Sequence, residues 1–196
     1  MTFIIAEIGI NHNGALKLAN DLIEAARWCG ADAVKFQKRT VEIVYAGQLD
    51  KPRESPWGKT TGNQKYGLEL SEADYDAIDA HCKSIGMPWF ASAWDIPSLD
   101  FLKKYDLPYN KIASAMATNA EFIKAVGKEK KPVFLSTGMC ELLQIEITAS
   151  ALQEFGSPVT LMHTVSTYPA DEATLNLQCI PMLRDRLNLP VGYSGH

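Results

Sequence analysis

The chain has 196 residues, of which 46% are hydrophobic and 21% charged, the balance of an ordinary globular protein of one domain. With 19 Lys and Arg against 23 Asp and Glu the formal net charge is -4, which excludes nucleic acid as a partner drawn by a general field and leaves any bound anion to a few placed cations. No apolar run approaches the roughly 18–20 residues of a membrane span, and the opening Thr2-Phe3-Ile4-Ile5-Ala6-Glu7 lacks the basic segment and apolar length of a signal peptide, so no membrane contact and a cytoplasmic location are expected.

Short apolar runs alternate with helical patterns along the chain. Phe3-Ile4-Ile5-Ala6 reads as the first strand. Leu16, Ala19, Leu22, Ile23 and Ala26 recur on one face of a helix over Leu16 to Trp28, with Gly30 placed to end it. The second strand is Ala33-Val34-Lys35-Phe36-Gln37, and the stretch from Arg39 to Leu70, with Pro52, Pro56, Gly58, Gly62 and Gly67, reads as a long excursion loop of the functional kind. Ser71 and Asp74 stand in capping-box positions before a helix whose inner face holds Ala77, Ile78 and Cys82. The strand Trp89-Phe90-Ala91-Ser92, a helix near Leu99 to Lys104, and the strand Tyr109 to Ala113 follow. After a helix near Ala120 to Lys128 come the strand Pro132 to Ser136, a helix from Glu141 to Phe155 and the strand Val159 to His163. A helix near Leu175 to Asp185 and the strand Val191 to Ser194 complete the alternation.

Strands alternating with crossover helices imply a parallel sheet covered on both faces. An open doubly wound sheet gathers its ligand groups at one switch point, whereas here polar groups close nearly every strand: Glu7, Lys35 with Gln37, Ser92, Lys111 with Ser114, Ser136, His163 through Ser166, and Ser194 with His196. The expected fold is therefore an α/β TIM (β/α)8-type barrel, incomplete, with about seven β/α units and no eighth strand.

Lys35 and Lys111, each flanked by apolar residues at a strand end, must be neutralised or must hold an anion, because an unpaired buried ammonium is costly. With Ser114, Ser136, Ser166 and Ser194 nearby in the pattern, they suit a phosphate or carboxylate, and the alternative is a pair of structural salt bridges. No Walker or Rossmann glycine loop is present. Glu7 reads either as a general base or as the ion partner of Lys35. His12 reads as a turn or mouth residue, His81 as a solvated helix residue and His163 as a support for the loop after it, while His196 stands where a metal ligand could sit. The four cysteines, Cys29, Cys82, Cys140 and Cys179, form no Cys-x-x-Cys pair and suggest neither zinc nor a redox dithiol; Cys140 reads as a buried or incidental thiol.

Ala6-Glu7-Ile8-Gly9-Ile10-Asn11-His12-Asn13-Gly14 resembles the opening motif of the N-acetylneuraminate (sialic acid) synthase family. The resemblance continues in family order through Val34-Lys35-Phe36-Gln37-Lys38, Pro56-Trp57-Gly58-Lys59-Thr60, Asn110-Lys111-Ile112-Ala113-Ser114, Leu135-Ser136-Thr137-Gly138-Met139, Ser166-Thr167-Tyr168-Pro169 and Gly192-Tyr193-Ser194-Gly195-His196. It implies a TIM-barrel transferase that condenses phosphoenolpyruvate with N-acetylmannosamine or a related N-acetylated amino sugar, giving a nonulosonic acid and phosphate. It also implies a divalent metal (manganese, magnesium or cobalt) that polarises the sugar aldehyde. By the same resemblance Glu7 matches the catalytic glutamate, and Lys35, Lys111, Ser114 and Ser194 the phosphoenolpyruvate contacts, with Ser136 and Ser166 beside them. Gln37 and Tyr168 match sugar contacts, and His196 the first of two histidine metal ligands.

Three places depart from the family pattern: Ser166 where many members have asparagine, Ser92-Ala93-Trp94-Asp95 for a Ser-Thr-Pro-Phe type segment, and Ser114-Ala115-Met116 for Ser-Gly-Glu. They bear on the sugar, so legionaminic, pseudaminic and spore-coat-type sugars stand beside N-acetylmannosamine. Residues 1–196 are expected to form one partial barrel domain, without the eighth strand, the second histidine and the C-terminal antifreeze-like domain through which full-length relatives form homodimers. Two other readings remain: a different phosphoenolpyruvate-dependent aldol synthase of the octulosonate or heptulosonate type, against which the Glu7 and Gly192-to-His196 motifs argue, and a non-catalytic fragment that keeps sugar or phosphate binding.

Overall fold

The structure, a computed structural model, describes residues 1–196. The chain divides into two units, Met1–Pro108 and Tyr109–His196.

In the first unit, β1 (Ile5–Gly9), α1 (Leu16–Trp28) and β2 (Ala33–Lys38) make a parallel crossover. β1 starts at Ile5, later than the apolar run suggested, because pairing begins at Ile5 opposite Ala33 and leaves Phe3 and Ile4 exposed. α1 has the expected bounds and buries Ala19 and Ile23. The segment after β2 is not the structureless excursion its prolines and glycines suggested. It folds as α2 (Val41–Val44), an antiparallel ribbon of β3 (Pro52–Ser55) and β4 (Gly58–Thr60), and α3 (Thr61–Leu68). The local cause is legible: Gly58 takes φ +141 at the ribbon's turn, and the Thr60 hydroxyl accepts from the Asn63 N–H to cap α3.

Next come α4 (Glu72–Ile85), β5 (Trp89–Ala93) and α5 (Ile96–Leu102). The expected Ser71–Asp74 capping box opens α4, and Gly86 closes it in the left-handed conformation at φ 68. α5 begins earlier than its apolar residues implied, because Asp95 caps it through the Ser98 N–H at 2.7 Å. β2 lies between β1 and β5, parallel to both. Phe36, Tyr75, Trp89 and Tyr105 form an aromatic core, each worth about 1.5–3 kcal/mol of burial, and the Tyr75 hydroxyl donates to the Gln37 carbonyl at 3.0 Å.

In the second unit, β6 (Asn110–Ile112), α6 (Ala120–Gly127), β7 (Val133–Ser136), α7 (Leu142–Glu154), β8 (Val159–His163), α8 (Cys179–Leu187) and β9 (Val191–Tyr193) repeat the crossover. β6 pairs with β7, β7 with β8 and β8 with β9, all parallel and in chain order. Short 3-10 turns at Ser114–Met116 and Glu172–Thr174 follow β6 and precede α8. α8 starts later than expected because Asn176 takes the left-handed conformation at φ 47 and interrupts the helical run. Leu135, Leu152 and Leu161 are fully buried between strand and helix. No helix is long and apolar enough to cross a membrane.

Candidate functional site

The first unit carries its polar groups from the middle of β1 and β2 to the carboxyl end of β5. Glu7 lies opposite Lys35 in the parallel register, so the two side chains rise on one face, and the carboxylate pairs with the buried ammonium. Lys35 Nζ also donates to Ser92 Oγ at 3.1 Å. Ser92 stands two residues beyond Phe90, the register partner of Lys35, which puts it on the same face. The Gln37 amide donates to Glu7 Oε1 at 3.5 Å, and its oxygen accepts from Arg39. Gly9 makes this approach possible, since at φ +53 a Cβ would sit 2.7 Å from Glu7 Oε1 and 3.1 Å from Gln37 Nε2. Lys35 is 7% exposed while the Glu7 side chain is 47% exposed, so a buried cation presents its partner's carboxylate to solvent.

The second unit repeats the device. Lys111 is 8% exposed, and its ammonium donates to the Ile112 carbonyl at 2.8 Å and to Ser136 Oγ. Ser136 stands two residues beyond Phe134, the register partner of Lys111, just as Ser92 does beyond Phe90. Beyond β7 the Gly138 N–H donates to Ser114 Oγ at 3.0 Å. A Cβ at Gly138 would lie 2.8 Å from Thr164 Cγ2 and 2.9 Å from Ser114 Oγ, and would overlap Ser166 Oγ. Three predicted serines thus lie along this edge, Ser136 at the ammonium and Ser114 with Ser166 on the bare face of Gly138. Ser194 is held by its backbone N–H to the His163 carbonyl at 2.8 Å, at the end of β9.

Tyr168 and His196 stack with ring centroids 4.1 Å apart and planes 18° apart. His196 Nδ1 faces the Val165 carbonyl at 2.9 Å and so carries the proton, which leaves Nε2 to accept from the Tyr168 hydroxyl at 3.0 Å. Thr164, which sequence reasoning did not single out, touches the same imidazole at 3.4 Å. His196 supplies one ligand of the kind a divalent metal would take, but no group of three or more His, Cys, Asp or Glu side chains is assembled that could hold such an ion. The residues present therefore do not by themselves make up a metal site.

The remaining histidines have structural roles. His12 is 2% exposed, and its Nδ1 accepts from the Gly14 N–H at 3.0 Å, so it is a turn residue, with burial holding it below the ordinary imidazole range. His163 Nε2 donates to the Leu175 carbonyl at 2.7 Å and supports the loop that follows. His81 is not a solvated helix residue: it is half-buried, with Nε2 3.2 Å from Glu24, because α4 packs its face on α1. Cys140 Sγ contacts the Gly138 carbonyl at 3.4 Å, and partial burial pushes its thiol up, the state of an unreactive cysteine.

The sequence pattern of the NeuB family matches residues 22–196. The chain is 39% identical to an N-acetylneuraminate-9-phosphate synthase of Drosophila melanogaster over 199 residues, covering 99% of this chain and 54% of that protein. It is 34% identical to an N,N'-diacetyllegionaminic acid synthase of Legionella pneumophila over 203 residues, covering 99% of this chain and 57% of that protein. The chain thus spans about half the length of the curated relatives it matches. Among solved structures it matches the N-acetylneuraminic acid synthetase of Leptospira borgpetersenii with a TM-score of 0.89 and 30% identity, covering 99% of this chain and 65% of that one. The TIM-barrel-type α/β fold expected from the strand and helix alternation is the fold found.

Proposed function

Because the chain belongs to the NeuB family, we propose that it carries residues for a phosphoenolpyruvate-dependent condensation with an N-acetylated amino sugar, of which N-acetylmannosamine is one, yielding a nonulosonic acid and phosphate. One observation supports this reading above the others: the buried Lys111 ammonium donates to Ser136 Oγ on the neighbouring strand, the same lysine–serine diagonal that Lys35 and Ser92 make in the first unit, where Glu7 already neutralises the lysine. A buried ammonium fixed beside a hydroxyl is a preorganised receptor for an oxyanion, and phosphoenolpyruvate offers two such groups, a phosphate and a carboxylate.

In this reading Lys111, Ser136 and Ser114 hold an oxyanion of phosphoenolpyruvate, with Ser166 and Ser194 lending further hydroxyls. Carbon 3 of phosphoenolpyruvate forms the new bond to the sugar's aldehyde carbon, and the aldehyde oxygen takes up a proton. Water then adds to the cationic carbon 2 and gives up a proton, and within the first unit Glu7, exposed yet anchored by Lys35, is the carboxylate with the chemistry to accept one. The added hydroxyl on carbon 2 then becomes the keto group as the bond from carbon 2 to the phosphate oxygen breaks, and the hydroxyl proton leaves with the phosphate. Gln37 and Tyr168 orient the sugar. No step is routed through a metal, since His196 is the one imidazole offered to it.

The test is release of inorganic phosphate from phosphoenolpyruvate on addition of N-acetylmannosamine or another N-acetylated amino sugar. Sugar-dependent release is expected. Phosphoenolpyruvate binding with no release for any amino sugar would reduce the chain to a binding module, and release with a pentose or tetrose phosphate instead would move it to the heptulosonate class.

A further inference from the structure

Within the first unit a chain of contacts reaches Glu7 from the residues just past β2. Arg39 is 9% exposed, and its Nη2 donates to the side-chain oxygen of Gln37. Arginine carries donors only, so the end of the amide that meets it is the oxygen, and the amide nitrogen is turned to Glu7 Oε1 at 3.5 Å. Arg39 is itself held in place. Its Nη1 lies 3.6 Å from Glu69 Oε1, and its backbone N–H donates to Glu69 Oε2 at 3.4 Å. The guanidinium lies 4.7 Å over the Trp94 ring, which resists its rotation. Lys38 Nζ, 3.3 Å from Glu69 Oε2, anchors that carboxylate in turn, and the Trp94 backbone N–H donates to the Lys38 carbonyl at 3.1 Å. The main chain of Gln37 is pinned by the Tyr75 hydroxyl at 3.0 Å. The freedom left to Gln37 is therefore that of its side chain, and a terminal amide is nearly two-fold in shape, so only its partners choose which end faces which way.

We propose that Arg39 is a positioning residue for Glu7, acting through Gln37: it fixes the amide so that the Glu7 carboxylate meets an N–H and not a carbonyl. The proposal rests on the functional reading above for the proton that Glu7 takes up; the orientation of the amide does not. With the amide reversed, the Gln37 oxygen would face the Glu7 oxygens, a repulsion that is relieved when the carboxyl takes a proton. A protonated Glu7 cannot serve as a base. Arg39 thus keeps ionised the carboxylate that Lys35 anchors, and Glu69 with Trp94 keeps Arg39 aimed. Lys35 is the charged group paired with Glu7, and Glu69 and Lys38 are those about Arg39.

The test follows the Glu7 carboxyl carbon and the Gln37 amide nitrogen by NMR through a pH titration of the whole chain, of Arg39→Met, of Gln37→Met and of the double variant. In the unaltered chain the Gln37 amide resonance is expected to move at the same midpoint as the Glu7 carboxyl. Arg39→Met keeps the buried stem and removes the fork of donors, so the Glu7 midpoint should move to higher pH. Turnover should fall about tenfold at neutral pH, with KM for phosphoenolpyruvate within about twofold. In the Gln37→Met background the same substitution should move the Glu7 midpoint no further, because Arg39 then has nothing to act through. A Glu7 midpoint unmoved by Arg39→Met would overturn the proposal. So would a shift that persists in full without the Gln37 side chain, which would make Arg39 a charge acting through space. A Gln37 amide that ignores the titration of Glu7 would overturn it too, and that measurement needs no variant to fold. Absence of sugar-dependent phosphate release from the unaltered chain would instead count against the functional reading, while the resonances would still decide what Arg39 does.

Discussion

Glu7 is the residue whose two readings separate most cleanly. Its carboxylate neutralises Lys35 and accepts from Gln37, yet nearly half of the side chain meets solvent. If it handles a proton, Glu7→Gln should lower phosphate release by at least about a hundredfold while phosphoenolpyruvate affinity stays within about threefold. Parallel loss of binding and turnover would make it the structural counter-ion of Lys35 alone. His12 gives a pH prediction of known sign. Burial lowers its folded value below the ordinary 6.5, so its contribution to stability is complete above that pH and is lost as pH falls through it, where the unfolded chain binds the proton more readily. The urea midpoint should drop between about pH 7.5 and 5.5, and His12→Asn should flatten that drop; an unchanged slope would remove His12 as its source. Neither behaviour could be read from spacing, which left Glu7 and His12 each with two roles until their neighbours were known.

At the scale of elements, legibility followed local chemistry. The Ser71–Asp74 box, in which the hydroxyl accepts from the Asp74 N–H at 3.2 Å and the carboxylate from the Ser71 N–H at 2.9 Å, was readable because both partners lie within one turn of chain. Ser71→Ala should destabilise the protein by about 1 kcal/mol, seen as a lower urea midpoint with the slope unchanged; no shift would mean that tertiary packing alone fixes the start of α4. The segment Arg39 to Leu70 was misjudged for the opposite reason. Its prolines and glycines signal breaks, but the ribbon of β3 and β4 and the cap at Thr60 depend on pairings that composition does not display. By contrast, the lysine–serine diagonal follows from two facts that sequence does carry, strand period and parallel register.

At the scale of the molecule, the alternation of strands and helices determined the class of fold, and residues 22–196 carry the NeuB family pattern. The lysine–serine pairing recurs in both units, but Glu7 already neutralises Lys35, so the structural argument for anion binding rests on the buried Lys111 ammonium beside Ser136. The metal reading carries less weight, since His196 is oriented by Val165 and Tyr168 but stands as a single imidazole. The central claim is that the Lys111 cluster receives an oxyanion of phosphoenolpyruvate. Its most direct measurement is calorimetric titration of phosphoenolpyruvate into the chain and into Lys111→Met, a substitution that keeps the buried stem and removes the charge. Saturable binding by the chain, weakened at least about tenfold by the substitution, is the expected result. Binding of equal strength in both proteins, or none in either, would contradict it.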